Sequence, residues 1–297
     1  MQKENTFEFA PLTVGTMRIG DWGAKLSTKE TEAFIEGCLE LGLTDFDHAD
    51  IYGGYTTESD FGKALKANPA LKTKVKLITK CGIKMISENR PDHKIKSYDL
   101  GADHIIKSVE NSLNSLQVDY LDVLLLHRPD LLIDPEEVAE VFENLKKQGK
   151  VLNFGVSNFT TSQFELLSSF TPLITNQIEI SVQHLNAFND GTLDQCMLKN
   201  IKPMAWSPLG GGGILGEASD EKSVRIRKIV EELAQKYGAG TDQILIAWLL
   251  KHPAGIIPVL GTSRTERIKS AFDSLKIKLT REEWYQLLEA SVGHEVA

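Results

Sequence analysis

Cysteine is scarce. The chain carries only Cys38, Cys81 and Cys196, and no two of them form a C-x-x-C pair. That leaves no disulfide scaffold and no thiolate zinc framework, and a sparse, odd set suits reduced thiols. Basic residues are in deficit, with 33 Lys and Arg against 41 Asp and Glu and a formal net charge of −8. Polyanion binding needs a basic stripe, so no nucleic-acid partner is expected, although a small basic pocket for one phosphate remains compatible. Long apolar runs are also missing. The run Ile244 to Leu250 has seven residues, against the roughly 20 that span a bilayer, so no membrane partner is expected. The opening Met1-Gln-Lys-Glu-Asn-Thr6 lacks the apolar stretch of a secretory signal, and a cytoplasmic location is the expectation.

What the chain does have is the balance of a folded protein, 41% hydrophobic and 25% charged over 297 residues. A chain of this size can withdraw about 75% of its unfolded surface from water, so a large core needs no staples. The length is about double that of a common single domain, but α/β barrels reach about 250 residues in one piece.

Apolar runs with strand character recur at Leu12–Met17, Thr44–Phe46, Val75–Thr79, Leu121–Leu126, Val151–Val156, Ile174–Ile178, Pro203–Trp206 and Gly255–Leu260. They are mostly continuous rather than alternating, as a parallel sheet buried on both faces requires. Helix signals lie between them. Ser27-Thr-Lys-Glu30 reads as a capping box, with a stop at Gly42. Asp134-Pro135 opens another helix, ended by Gly149, and Ser223–Tyr237 and Thr265–Leu275 follow the same grammar. Arg281–Glu289 comes after the last strand and reads as an appended C-terminal helix. No linker or composition shift divides the chain. The expected architecture is α/β, a (β/α)8 TIM barrel forming a single domain over residues 1–297, with a doubly wound sheet as the other arrangement giving this alternation.

Polar residues gather at the ends of these strands. Asp47, His48, Asp50 and Tyr52 follow the second, Lys80 the third and His127 the fourth; Ser157-Asn158, Gln177 and Trp206-Ser207 mark the next three. Singly, Lys80 reads as a solvated lysine, His127 as a loop histidine, Asp47 as a turn acceptor and Tyr52 as a packing aromatic. In a barrel, however, these ends converge on one mouth.

The set Asp47-x4-Tyr52-Gly53, Lys80, His127, Gly155-Val-Ser-Asn-Phe159, Asn176-Gln177, Trp206-Ser-Pro-Leu209 and Gly261-Thr-Ser-Arg264 resembles the aldo-keto reductase family. The resemblance covers almost the whole chain and is nearer to the bacterial and potassium-channel β-subunit branches than to the aldose reductase branch. It implies carbonyl reduction with NADPH and no metal, on a small carbonyl substrate, with Asp47, Tyr52, Lys80 and His127 as the catalytic tetrad. The chemistry is coherent, because hydride reduction needs a proton donor and tyrosine is a weak acid until its anion is stabilised. A Lys80 ammonium about 4 Å away at an effective dielectric of about 20 contributes about 4 kcal/mol, an upper bound on lowering the phenol pKa. Asp47 would keep that lysine charged, and His127 would hold the carbonyl oxygen.

The resemblance further implies cofactor contacts. Ser157, Asn158 and Gln177 would meet the carboxamide, Trp206 would stack on the nicotinamide, and Thr16 and Met17 would line the same pocket. The loop containing Ser207, Leu209 and Gly211 would cross the pyrophosphate, and Ser263, Arg264 and Arg267 would hold the 2′-phosphate. Ser270 and Ala271 depart from the family's adenine-binding pattern. Only Ser291–Ala297 follow the last helix, so the expected substrate walls are Trp22, Arg128 and the segment Ile83–Tyr98. Gly211-Gly-Gly-Ile-Leu-Gly216 matches G-x-G-x-x-G, but Glu217-Ala-Ser-Asp220 rather than a helix follows it, so it is not read as a Rossmann fingerprint. Three other readings remain open: a metal-dependent hydrolase using His48, Asp50 and His127, a Schiff-base aldolase using Lys80, and a slow NADPH-binding redox sensor.

Overall fold

The computed structural model describes residues 7–216 and 220–297. The N-terminal hexapeptide and the Glu217–Ser219 part of the segment after the glycine run lie outside these residues. In chain order the strands are β1 (Thr13–Gly15), β2 (Asp45–Asp47), β3 (Lys76–Cys81), the two-residue β4 (Ile83–Lys84) and β5 (Ser97–Tyr98), β6 (Leu121–Leu126), β7 (Val151–Ser157), β8 (Asn176–Glu179), β9 (Met204–Trp206) and β10 (Ile257–Leu260). All but β4 and β5 form a closed parallel barrel in the order β1-β10-β9-β8-β7-β6-β3-β2. The eight expected strands are all present, with ends displaced by no more than two residues. The largest extension has a chemical cause. The sequence reading stops β3 at Thr79 because a lysine follows, yet the strand runs on to Cys81 because Lys80 is neutralised inside the barrel.

Helices α1 (Thr28–Glu40), the short kinked α2 (Tyr52–Tyr55), α3 (Thr57–Ala67), α4 (Ala102–Leu116), α5 (Pro135–Lys147), α6 (Thr161–Ser168), α7 (Thr192–Leu198), α8 (Glu221–Tyr237), α9 (Thr241–Leu250), α10 (Thr265–Asp273) and α11 (Arg281–Val292) surround the sheet. The capping box at Ser27 and the Asp134 cap are both formed. One assignment changes. The run Ile244 to Leu250 is a buried helix, α9, and it rather than α8 packs against β10. Helix α8 instead packs on α11, so two helices are appended where one was expected. A stacked tryptophan pair fastens α11 to the barrel: Trp248 Nε1 donates to Trp284 O at 3.0 Å and Trp284 Nε1 donates to Trp248 O at 3.1 Å.

The barrel interior decides where the site can lie. Ile78, Val123, Leu125, Met204, Ile257 and Val259 fill the lumen, and Phe7 and Phe9 pack against this layer. The polar residues occupy the opposite, C-terminal ends of the strands, where the barrel architecture gathers loops from every unit. The segment between Ile83 and Tyr98, expected as an irregular loop, is closed at its base by antiparallel pairing of β4 with β5.

Candidate active site

Asp47 ends β2 and Lys80 projects inward from β3, and the two side chains meet at 2.7 Å with 3% and 1% exposure. The Lys80 ammonium also donates to His48 O at 2.7 Å and to Tyr52 Oη at 3.2 Å, so its three N–H bonds are all used. The other Asp47 oxygen accepts from Gln177 Nε2 at 2.8 Å. Tyr52 reaches this centre from a tight turn in which Gly53, Gly54 and Tyr55 all have positive φ. At Gly53 a Cβ would lie 2.5 Å from Thr57 Oγ1, so the turn requires glycine there. His127 follows β6, and its ring stands edge-on to Tyr52 with centroids 6.2 Å apart. The four tetrad candidates therefore converge.

The electrostatics differ from the sequence argument in one respect. Burial pushes the Tyr52 phenol above the usual tyrosine range; Lys80 opposes this and Asp47 adds to it. The expected net lowering by Lys80 is thus reversed, because removal from water costs the phenolate more than one ammonium, already paired with Asp47, returns. Burial also disfavours the Lys80 ammonium, but Asp47 and Tyr52 outweigh it and hold its pKa above that of an ordinary lysine. Burial, then Lys80 and Arg128, keep His127 neutral by moving its pKa well below the usual histidine value. At neutral pH the centre holds a neutral phenol, a charged ammonium and a neutral imidazole.

A second group lies beside it. Trp206 ends β9 and donates from Nε1 to Asn158 Oδ1 at 3.0 Å. Asn158 Nδ2 donates to Ser157 Oγ at 2.8 Å, and Ser157 Oγ donates to Gln177 O at 2.8 Å. This relay fixes the indole plane. Gln177 and Ser157, expected at a carboxamide, thus also tie Asp47 and β8 into the tetrad. Thr16 is turned inward, donating to Asp47 O at 3.0 Å and contacting His48 Nδ1 at 2.9 Å, while Met17 is half-buried beside it. Trp22 stands 6.2 Å from Tyr52, and the Arg128 guanidinium 5.8 Å from the Trp206 ring. Two of the three expected walls, Trp22 and Arg128, therefore border the centre.

Farther out, Ser207 and Gly211 have positive φ, and Leu209 packs between the two large core clusters. Arg227 of α8 anchors this loop by donating to Ile214 O at 3.0 Å and to Gly216 O, a tether with no signature along the chain. The glycine run forms a 3-10 turn, and α8 begins only at Glu221, so no strand–turn–helix phosphate loop is built there. Ser263 and the exposed Arg264 and Arg267 flank the N-terminus of α10, which has no side-chain cap. Free N–H groups and two guanidinium groups suit a phosphate. Ser270 Oγ donates to Asp242 at 2.9 Å, so its hydroxyl is already engaged within the protein.

Among the described residues, no three His, Cys, Asp or Glu side chains are placed to hold a metal ion, and no helix is long and apolar enough to cross a membrane. His48 is buried against Phe61, and burial and then Lys80 lower its pKa to about 3.

Comparison with known proteins agrees with this fold. The chain is 45% identical to the uncharacterized oxidoreductase YcsN of Bacillus subtilis (strain 168), covering 100% of this chain and 99% of the relative. It is 43% identical to a 6-dehydroglucose reductase of Agrobacterium fabrum, covering 98% and 97%. Among solved structures, a thermostable aldo-keto reductase in complex with the inhibitor epalrestat superposes with a TM-score of 0.80 at 28% identity, covering 97% of each chain. An aldo/keto reductase from Klebsiella pneumoniae in complex with NADP and acetate gives 0.77 at 26%, covering 94% and 90%. The model of the aldo/keto reductase family matches residues 11–291, and the chain belongs to that family.

Proposed function

We propose that this protein is an NADPH-dependent oxidoreductase that reduces small aldehydes and ketones to alcohols. The observation that carries the reading is the Tyr52 hydroxyl held 3.2 Å from an ammonium that Asp47 keeps charged, at the barrel mouth beside an oriented Trp206. The dinucleotide, when bound, supplies the hydride. Trp206, Asn158 and Ser157 would hold its nicotinamide end, the Ser207–Gly216 loop its pyrophosphate, and Arg264 and Arg267 its 2′-phosphate. As hydride reaches the carbonyl carbon, the carbonyl oxygen gains an electron pair and takes the Tyr52 proton, giving the alcohol and a phenolate. Lys80 stabilises that phenolate, Asp47 keeps Lys80 protonated, and neutral His127 holds the carbonyl oxygen.

Schiff-base chemistry fits Lys80 poorly. Its nitrogen is fully committed as a donor, and its raised pKa leaves little neutral amine to attack a carbonyl. Relatives that reduce 6-dehydroglucose make hydroxyl-rich aldehydes the first substrates to try. The test is fluorescence titration with NADPH and with NADH, followed by NADPH absorbance during incubation with a carbonyl panel that includes such a sugar. NADPH binding with turnover is expected; absence of cofactor binding overturns the assignment, and tight binding without appreciable turnover favours a sensor.

A further inference from the structure

Behind the mouth, between the sheet and helices α3 and α4, lie buried acids that the proposed chemistry does not use. Glu58 on α3 is 6% exposed, and Asp50, in the turn after β2, is 8% exposed. Thr79 Oγ1 donates to Glu58 Oε1 at 2.6 Å, and the buried Ser112 of α4 lies beside the same carboxyl. The Asp50 N–H donates to Lys80 O at 3.0 Å, and the Asp50 carboxyl oxygen Oδ1 is buried without a hydrogen-bond partner. Strand pleating sends neighbouring side chains to opposite faces, so Lys80 enters the barrel while Thr79 meets Glu58 outside it. Asp50 in turn lies two residues before Tyr52. Glu58 therefore grips the strand that carries Lys80, and the Asp50 backbone ties that strand to the turn that carries Tyr52.

We infer that Glu58 is a positioning residue that sets the approach of Lys80 to Tyr52 from outside the barrel. The inference rests on the reductase reading, in which that approach stabilises the phenolate. The titratable and charged groups around Glu58 are Asp50 from the turn, Lys80 and Cys81 from β3, and Arg90 from the β4–β5 connection, with the hydroxyl of Ser112 from α4. Burial dominates there. It pushes the Glu58 carboxyl up to about 7 against Thr79, Ser112, Lys80 and Arg90, and burial and then Glu58 push Asp50 well above the carboxylate range. Asp50 therefore holds a proton at neutral pH and Glu58 is about half protonated there, so Gln, which matches the neutral form in shape and charge, is the conservative replacement for Glu58.

The experiment compares Glu58→Ala, Glu58→Gln and Thr79→Val with the wild-type holoenzyme by kcat, NADPH affinity and the NMR signal of the Lys80 ammonium, assigned with Lys80→Met. A misplacement of about 1 Å can cost about 100-fold in rate. Glu58→Ala is expected to lose kcat on that scale with NADPH affinity kept, and to shift or broaden the Lys80 signal. Thr79→Val should do the same to a smaller degree, and Glu58→Gln should restore both readouts. An Ala variant with wild-type kcat and an unmoved Lys80 signal overturns the inference, as does a Gln variant no better than Ala. A wild type without turnover defeats the reductase reading, while the Lys80 signal still decides the positioning. If Glu58→Ala does not fold, Thr79→Val with an unmoved Lys80 signal overturns the inference.

Discussion

Replacing Asp47 with Asn tests the central ion pair while keeping its shape. At the observed 2.7 Å and an effective dielectric of about 20, the direct attraction to Lys80 is about 6 kcal/mol. Desolvation of both ions offsets part of this, and breaking one side of such a buried pair costs about 3–5 kcal/mol because the remaining charge stays buried. At about 2.1 cal/mol/K per residue, unfolding 297 residues carries about 0.6 kcal/mol/K of entropy, so Tm should fall by about 5–8 °C. The pH response has a definite sign. Without Asp47, burial acts on Lys80 with only the His48 carbonyl and the Tyr52 oxygen opposing it, so the ammonium loses its proton more readily. Carbonyl reduction by Asp47→Asn should therefore be best at acid pH and fall on the alkaline side well before the wild type does. Differential scanning calorimetry and pH–rate profiles with a saturating aldehyde read both effects. A variant melting within about 2 °C of wild type, with an unchanged alkaline limb, would refute the claim that Asp47 maintains the lysine charge.

Tyr52→Phe should lower kcat by about 100- to 10,000-fold, the usual contribution of a positioned general acid, with NADPH affinity unchanged by fluorescence titration; retained turnover removes Tyr52 from its role. The double variant Arg264→Gln, Arg267→Gln should weaken NADPH binding by about 10-fold or more, at about 1.5–3 kcal/mol per charged hydrogen bond, while sparing NADH and flattening the salt dependence of affinity. Equal losses for the two dinucleotides would place the 2′-phosphate elsewhere. For Glu58 the raised folded-state pKa means a cost absent below pH 4.5 that grows as pH rises toward about 7, reaching about 3 kcal/mol. Glu58→Gln should thus gain about 5 °C in Tm relative to wild type between pH 5 and pH 8, and a constant difference in calorimetry would contradict the buried acid.

The parts of the fold that were legible in the sequence are those with a strong local cause. Leu121–Leu126 reads as a buried strand because it is nearly all apolar, and the Ser27 and Asp134 caps mark helix starts through side chains that bond the first turn. Helix α9 was hidden by the same logic, since Ile244 to Leu250 is apolar on every side and carries no helical period. The tetrad was found through its resemblance to a family, and the barrel then made its members neighbours. Glu58 gave no signal of its own, because an acid in the first turn of a helix is ordinary, and only the packing of α3 against Thr79 makes it unusual. The net direction of the Tyr52 shift is illegible for a related reason: proximity of Lys80, which bounds the lowering, follows from order along the chain, but the depth of burial that outweighs it does not.

That reversed shift strengthens the chemical case. A proton donor must hold its proton until the carbonyl oxygen becomes basic, so a phenol lowered toward neutrality would spend part of its population as the wrong form. Burial keeps Tyr52 neutral in the resting site, while Lys80, held by Asp47, stands 3.2 Å away for the phenolate that the proposed reaction would create. The same ammonium is thus nearly idle toward the neutral phenol and strongly attractive toward its anion, which is differential stabilisation of the later state. It also explains why so much hydrogen bonding is directed at Lys80 rather than at Tyr52. Asp47, the His48 carbonyl, Gln177 acting through Asp47, and Glu58 acting through Thr79 all hold the lysine, leaving the phenol free to face the substrate.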